Sequence, residues 1–375
     1  MFYSAVWVCR RDWFGVYSLD DELVSGITSA LRPAASVTGN PFRLAVNEGK
    51  SFQGSIVLGM GFVLEPEAAY RLIERTPRNR DVLFPYLNGE DLNSRPDQSG
   101  SRWVINFHDW PLEKAKEYPD CFDVVEKLVK PDRARLAGGD ATARDRAHRW
   151  WQFARPTVKL YATIAGMQRV LVVSLITNHV CFAFVPSTWV FAHKLAVLPL
   201  DSDSHLALLQ SSLHYVWAWQ YSSTNLSLLN YSPSDCFNTF PFPSSVESLK
   251  EIGLRYGAYR RDVLLSRCEG LTPLYNRFHN RGETAAEVVG LRALQREMDH
   301  AVAAAYGWTD LDLGHGFHEA KQGLRYTISE AARREVLDRL LALNHARHAE
   351  EVAGAPPEKP KRAGKKKSAA QNTLF

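Results

Sequence analysis

The sequence predicts an α+β protein: an antiparallel β-meander with flanking helices, then a C-terminal helical domain and a disordered basic tail. Three observations predict it. In RVLVVSLITNHVCFAFVPSTWVFAHKLAVLP (169–199), β-branched and aromatic runs are interrupted at NH, PS and AHK, the pattern of three or four short antiparallel strands. After FPFPSS (240–245) the apolar spacing becomes helical around 246–267, 284–306 and 327–352. From Gly354 onward Pro, Lys, Ala and Gly dominate, a composition that buries too little apolar surface to offset the entropy of ordering.

The elements before the meander follow from local signals. GSIVLGMGFVLEP (54–66) reads as strand-rich, and Pro66 then opens a helix, where its missing N–H costs nothing. SRWVINF (101–107) is the next strand. In 111–130, Phe122, Val125, Leu128 and Val129 form an apolar stripe, with a break expected at Pro119. After the meander, residues 201–221 carry an Asp/Ser cap and apolar positions at Leu206, Leu209, Leu213 and Val216, a helix packed beside the sheet. YNRFHNRGET (275–284) and DLDLGHGFHEAKQG (310–323) read as loops between the later helices.

Composition narrows the functional classes. A chain of 375 residues that is 45% hydrophobic can bury a substantial core. No apolar run reaches membrane-spanning length, and Arg10, Arg11 and Asp12 interrupt what would be a signal sequence, so a cytoplasmic protein without a membrane partner is expected. The 5 cysteines are scattered without CxxC spacing, which supports neither a disulfide framework nor a zinc finger. Net charge is only +4, but Arg133, Arg135, Arg144, Arg146, Arg149, Arg155 and Arg169 crowd one stretch and a lysine-rich run fills the tail. Each run is as well explained by a solvated face as by a polyanion partner.

Several catalytic motifs are approached and missed. VLGMGF (57–62) has a GxG after a strand, but no third glycine and no acidic residue at the spacing of a dinucleotide site, so a glycine bend is expected. GNPFR (39–43) lacks the second proline of the NPPY-type motif. RPD (95–97) and KPD (130–132) are not followed by the ExK of a magnesium nuclease, and EAK (319–321) is a distant match. His179, His193, His315 and His318 lack further ligands at metal spacing. Glu90, Asp91 and Asp97 lie among turn formers and opposite charges, which points to a side-chain-bonded turn rather than to catalytic acids.

Two features point to DNA. WWQFARPTVKL (150–160) interleaves Trp150, Trp151 and Phe153 with Arg149, Arg155 and Lys159, a mixture able to hold a phosphate backbone, although such aromatics are as often core. The loops of the meander carry Asn178, His179, His193 and Lys194, and a later loop carries Thr224 and Asn225, side chains able to hydrogen-bond base edges.

SFQGSIVLGMGFVL, FPYLNGEDLNSRPDQSGSRWVINF, DWPLEKAKEYPDCF, WWQFARP, LLQSSLHYVWA and NYSPSDCFNTFPFP, in this order, resemble the target recognition domain of MmeI-like (type IIL/IIG) adenine-specific DNA methyltransferase and restriction-modification proteins. GLTPLYNRFHNRGETAAEVVGLRALQREMDHAVAAAYGW resembles their C-terminal helical domain, and the likeness runs from about Trp13 to about Glu351. The resemblance implies a connector (1–50) following an absent methyltransferase domain, a target recognition domain (51–245), a helical domain (246–353) and the tail (354–375). It implies sequence-specific recognition of double-stranded DNA, with no catalytic residues, cofactor or metal in this chain. S-adenosylmethionine is expected in the missing catalytic domain or subunit, which would be the protein partner. The alternative is one half of a split adenine methyltransferase, active only with that partner in trans. Asn178, His179, His193, Lys194, Thr224 and Asn225 are the expected base readers, and Arg149, Arg155, Lys159 and Arg169 the expected phosphate contacts. QNTLF at the end resembles the pentapeptide that docks on the replication sliding clamp, which makes Gln371, Leu374 and Phe375 candidates for that contact.

Overall fold

The computed structural model describes residues 17–19, 22–24, 39–225 and 228–354. Gln371, Leu374 and Phe375, with the rest of the tail beyond Gly354, lie outside the described residues. So does most of the connector, apart from a hairpin pairing Tyr17–Leu19 with Glu22–Val24 and the segment from Gly39.

The architecture is α+β, with antiparallel sheets and a helical C-terminal region. The meander forms a four-stranded antiparallel sheet in the order Phe52–Gln53, Leu195–Leu198, Arg169–Ser174, Ala183–Pro186. Val170 to Val173 and Leu195 to Leu198 are all fully buried, which explains why these strands read as continuous apolar runs. A second sheet orders Val190–Phe191, Leu83–Leu87, Arg102–Ile105 and Val63–Leu64, with Val190–Phe191 parallel to Leu83–Leu87. A third, small sheet runs Ser223–Asn225, Leu228–Asn230, Ile176–Thr177.

Buried apolar residues fall into two clusters. The smaller collects Phe62, Val104, Phe107, Phe122 and Val125 with Trp150, Trp151 and Phe153. The three aromatics of WWQF are therefore core, the second of the two readings the sequence left open: the Trp151 indole donates to Trp110 O at 2.8 Å and Phe153 meets Phe62 edge-on at 5.2 Å. The larger cluster joins the meander to Trp217, Phe237 and Phe240 and continues without a break through Tyr256, Leu274, Leu291, Val302 and Val336. Strand Leu83–Leu87 crosses between the clusters, with Leu83 in one and Leu87 in the other.

The helix expected over 201–221 is two, Asp203–Gln210 and Ser212–Tyr221. Ser211 is extended between them and its hydroxyl accepts from His214 N, capping the second. The break at Pro119 is present, between Leu112–Ala115 and Pro119–Leu128. Lys250–Arg267, Ala286–Ala305 and Glu330–Gly354 are the long C-terminal helices. Both segments read as loops contain structure. Leu271–Phe278 is a helix, and Gly316–Ala320 pairs with Gly323–Thr327 as a hairpin whose turn uses Gly323 at φ +88°. The hairpin gains its stability from long-range packing, Tyr326 meeting Phe278 edge-on at 5.4 Å, and so carries no strong local signal.

The segment from Gly39 is tied to the end of the chain. Asn344, fully buried, exchanges hydrogen bonds with Phe42 N and O and donates to Thr239 O, while Phe42 stacks on His348 at 4.2 Å. GNPFR is thus a packed strap, consistent with its failure to match a catalytic motif.

Candidate nucleic-acid interface

The groove lined by His193 and Lys194 is set by a close backbone contact. Gly54 lies so close to Ala192 that a Cβ there would sit 2.2 Å from the Ala192 carbonyl oxygen, and only glycine permits that approach. Ser55 N donates to Phe191 O at 2.8 Å and Ala192 N to Leu87 O at 2.9 Å, which holds this strand crossing on both sides. The chain then reverses, Leu195 N returning to Ala192 O at 2.9 Å, and His193 and Lys194 are the two central residues of that tight turn. Lys194 is exposed and His193 half-buried, both lining a groove whose opposite wall is Tyr86, Asn88 and Glu90.

A second pair of bonds ties this turn to the small sheet. Leu175 N donates to Lys194 O at 2.9 Å, and Tyr231 N donates to Leu175 O at 2.7 Å. Asn178 and Thr224, both exposed, stand on the outer strands of that sheet or just beyond them, and Asn225 continues the last strand, its backbone paired with Leu228. Residues 178, 193, 194 and 224, separated by up to 46 positions in sequence, are thereby carried on two turns and an edge strand that share Leu175 as a hinge.

His179 faces the other way. It is 4% exposed, its Nε2 bonds Asn276 Oδ1 at 2.9 Å, and its ring stacks on His279 at 5.3 Å. Burial holds its pKa down at about 4, so the ring is neutral and acts as an internal prop for the loop that displays Asn178. His193 is also held below the usual imidazole value, first by burial and then by Lys194 and Arg155, the effect expected of a ring set among cations. Burial pushes the Tyr86 hydroxyl up to about 12, which keeps it protonated and able to donate.

The four cations expected at phosphates divide into two pairs. Arg155 is exposed and its guanidinium meets Gln53 Oε1 at 2.8 Å and Gly54 O at 3.1 Å; among the described residues neither it nor Lys159 has a carboxylate partner. Arg149 is held by Asp145 and bonds Gln152 at 3.0 Å, and Asp145 raises its pKa. Arg169 bonds Asp203 Oδ2 and Asp201 O, both at 2.9 Å, and lies 3.8 Å over the Phe184 ring. Charge is open at the first pair and balanced at the second.

The acidic stretch along the groove wall is tied into local hydrogen bonds. Asn88 caps the helix Gly89–Ser94, accepting from Asp91 N at 2.9 Å, and Asp91, 6% exposed, accepts from Asn88 Nδ2 and from Ser101 N and Oγ at 2.9–3.0 Å. Asp97 accepts from Ser99 N and Oγ, which with Arg95 lowers its pKa against the opposing effect of burial. Arg102 pairs with Glu65 at 3.2 Å. Among the described residues, no group of three or more His, Cys, Asp or Glu is placed to hold a metal ion.

The GxG segment does not fit an adenosyl cofactor. Gly61 is covered by the end of helix Pro119–Leu128, where a Cβ would lie 2.4 Å from Leu128 Cβ, and the carbonyls of Val57 and Leu58 are taken by the Arg133 guanidinium. The glycines serve packing here, as the bend reading expects.

Tyr86, Asn88 and Glu90 in the groove wall were not among the residues the sequence singled out for binding. Their signal is absent locally, because the parallel pairing of Tyr86 with Val190 and Leu87 with Phe191 is what brings them to His193.

Residues 51–244 match the family described as MmeI, target recognition domain. No curated protein matches the chain. Among solved structures, the chain resembles the type IIL restriction-modification enzyme MmeI in complex with DNA, at 16% identity and a TM-score of 0.61. The likeness covers 88% of this chain and 39% of that one.

Proposed function

The chain belongs to the MmeI target recognition domain family, and on that premise we propose that it recognises double-stranded DNA by sequence, as the specificity part of a restriction-modification enzyme. The observation that carries this reading is the hinge at Leu175, which joins the His193–Lys194 turn to the small sheet bearing Asn178 and Thr224, beside the open charge of Arg155. Lys194, Asn178 and Thr224 offer donors and acceptors of the kind that distinguish base edges in the major groove. Arg155 and Lys159 supply the sequence-independent attraction to phosphate. The solved MmeI structure, in complex with DNA, supports this assignment.

The finer reading is that the enzyme served is an adenine-N6 methyltransferase whose catalytic domain or subunit binds S-adenosylmethionine and acts on a flipped adenine. The chain spans 39% of the matched MmeI chain; a second form of this reading is a split methyltransferase needing both halves for turnover. Selection from a randomised duplex library, followed by sequencing, tests the main reading; enrichment of one motif is expected, and recovery of unenriched DNA at low salt refutes it. Methyl transfer by an isolated catalytic partner that is undiminished without this chain refutes the split form.

A further inference from the structure

A cavity of about 40 Å³ lies where the meander meets the helical region. Its lining comes from elements far apart in sequence: His179 from the loop after Ile176–Thr177, Ser212 and Tyr215 from helix Ser212–Tyr221, His279 from just beyond Leu271–Phe278, and Gln295 from Ala286–Ala305. Three atoms of these residues are buried with no hydrogen-bond partner among the described residues: His179 Nδ1, His279 Nδ1 and Tyr215 Oη. Groups around them are already paired. Gln210 accepts from Phe182 N at 3.0 Å and donates to Val180 O at 3.3 Å, and Asp299 Oδ1 accepts from Ser212 N at 2.7 Å and from Gln295 Nε2 at 3.0 Å. A buried polar atom left unpaired costs its full desolvation, so three of them around one small space call for an occupant.

Size and chemistry select that occupant. His179 Nε2 faces Asn276 Oδ1 at 2.9 Å and so carries the ring proton, which leaves Nδ1 a bare acceptor. Burial keeps this ring neutral and pushes the Tyr215 hydroxyl up to about 12, so the tyrosine stays able both to donate and to accept. An anion would meet the Nδ1 lone pair, which repels it, and a metal ion would need a third ligand, which no group of described residues supplies. Organic ligands need more room, since the dry apolar cavities that admit benzene are about 150 Å³. A water molecule needs about 10–15 Å³ and two to four polar partners. We propose that the cavity holds about two or three ordered waters that link His179, His279 and Tyr215, forming an internal joint between the loop that displays Asn178 and the helices behind it. This joint stands independently of what the chain binds.

The test is a crystal structure of the full chain at a resolution that shows ordered water, together with urea titrations of the parent, Tyr215→Phe and Tyr70→Phe. Water density within hydrogen-bonding distance of His179 Nδ1 and Tyr215 Oη is expected. Tyr215→Phe then takes a partner from a bound water and lowers the urea midpoint by roughly 0.3 M. Tyr70→Phe, at a tyrosine 52% exposed, leaves the midpoint in place. In a dry cavity the Tyr215 substitution deletes a buried hydroxyl that bonds nothing, so a midpoint that rises or stays unchanged overturns the proposal. A cavity without density overturns it too, as does density that refines as an ion held by the histidines.

Discussion

Protonating His179 should loosen the fold, and the size of the effect follows from its burial. The ring is neutral in the folded state, with a pKa held down at about 4 against an unperturbed value of 6.5. The unfolded chain therefore takes up this proton first as the pH falls. The associated stability is complete above about pH 6.5 and is lost as the pH falls toward 4, reaching roughly 3 kcal/mol for a shift of this size. Between about pH 7 and pH 5 the loss is about 2 kcal/mol. His214, held down at about 3, and His279, held well below the usual value, act in the same direction, so the parent protein alone cannot isolate the term. His179→Gln can, because glutamine retains a donor for Asn276 and does not titrate. Urea denaturation of parent and variant at both pH values, followed by tryptophan fluorescence, gives the difference in slope. The variant should lose about 2 kcal/mol less stability over this interval. Equal losses in the two proteins would show that the ring is not kept neutral by the core, and the prop assigned to it would fail.

Further outcomes follow from the same geometry. Gly54→Ala should displace the 192–195 turn, since its Cβ would meet Ala192 O at 2.2 Å, and should weaken DNA binding more than it lowers the urea midpoint. Asp91→Ala leaves Asn88 and Ser101 donors unpaired in a buried site and should cost about 1–3 kcal/mol in urea, whereas Asp97→Ala, at an exposed turn, should cost under about 1 kcal/mol. Arg133→Met removes the donors to the Val57, Leu58 and Gln152 carbonyls and should destabilise the smaller cluster by about 2–4 kcal/mol, read by the same titration. Titrating DNA affinity against salt should show slopes reduced by about one for Arg155→Ala and for Lys159→Ala, and little altered for Arg149→Ala and Arg169→Ala, whose charges already face aspartates.

Local pattern made some of this molecule legible and left other parts hidden. Val170 to Val173 and the stripe of Val288, Leu291, Met298 and Val302 are buried where their periodicity places them, because burial on a strand or helix face is a property of spacing. Trp150 and Trp151 have no spacing that tells an exposed ring from a buried one; what buries them is a helix beginning at Pro119 and a carbonyl at Trp110. Asn178 and His179 are neighbours with opposite fates, and the reason, Asn276, lies 97 residues from the histidine. Lys194, in a turn, and Arg169, opening a strand, look alike as cations of the meander, but among the described residues only Arg169 has an aspartate beside it, contributed by a helix 34 residues on. The side-chain chemistry of each candidate is legible in the sequence; which candidates lie near one another is fixed by the Gly54 contact and the Leu175 backbone bonds.

The larger buried cluster has a bearing on how such chains can be exchanged between genes. It runs from the meander through Tyr256 and Leu274 to Val336, and Gly253 is packed so closely on Asp203 that a Cβ would lie 2.0 Å from its carbonyl oxygen. A crossover near residue 245 would join halves whose side chains have to interdigitate, and hybrids of distant parents should be recovered unfolded. Crossovers that replace only 176–178 and 223–230 touch few members of that cluster. New specificities would then arise by grafting those short ribbons, with the helical half inherited alongside the meander as one piece.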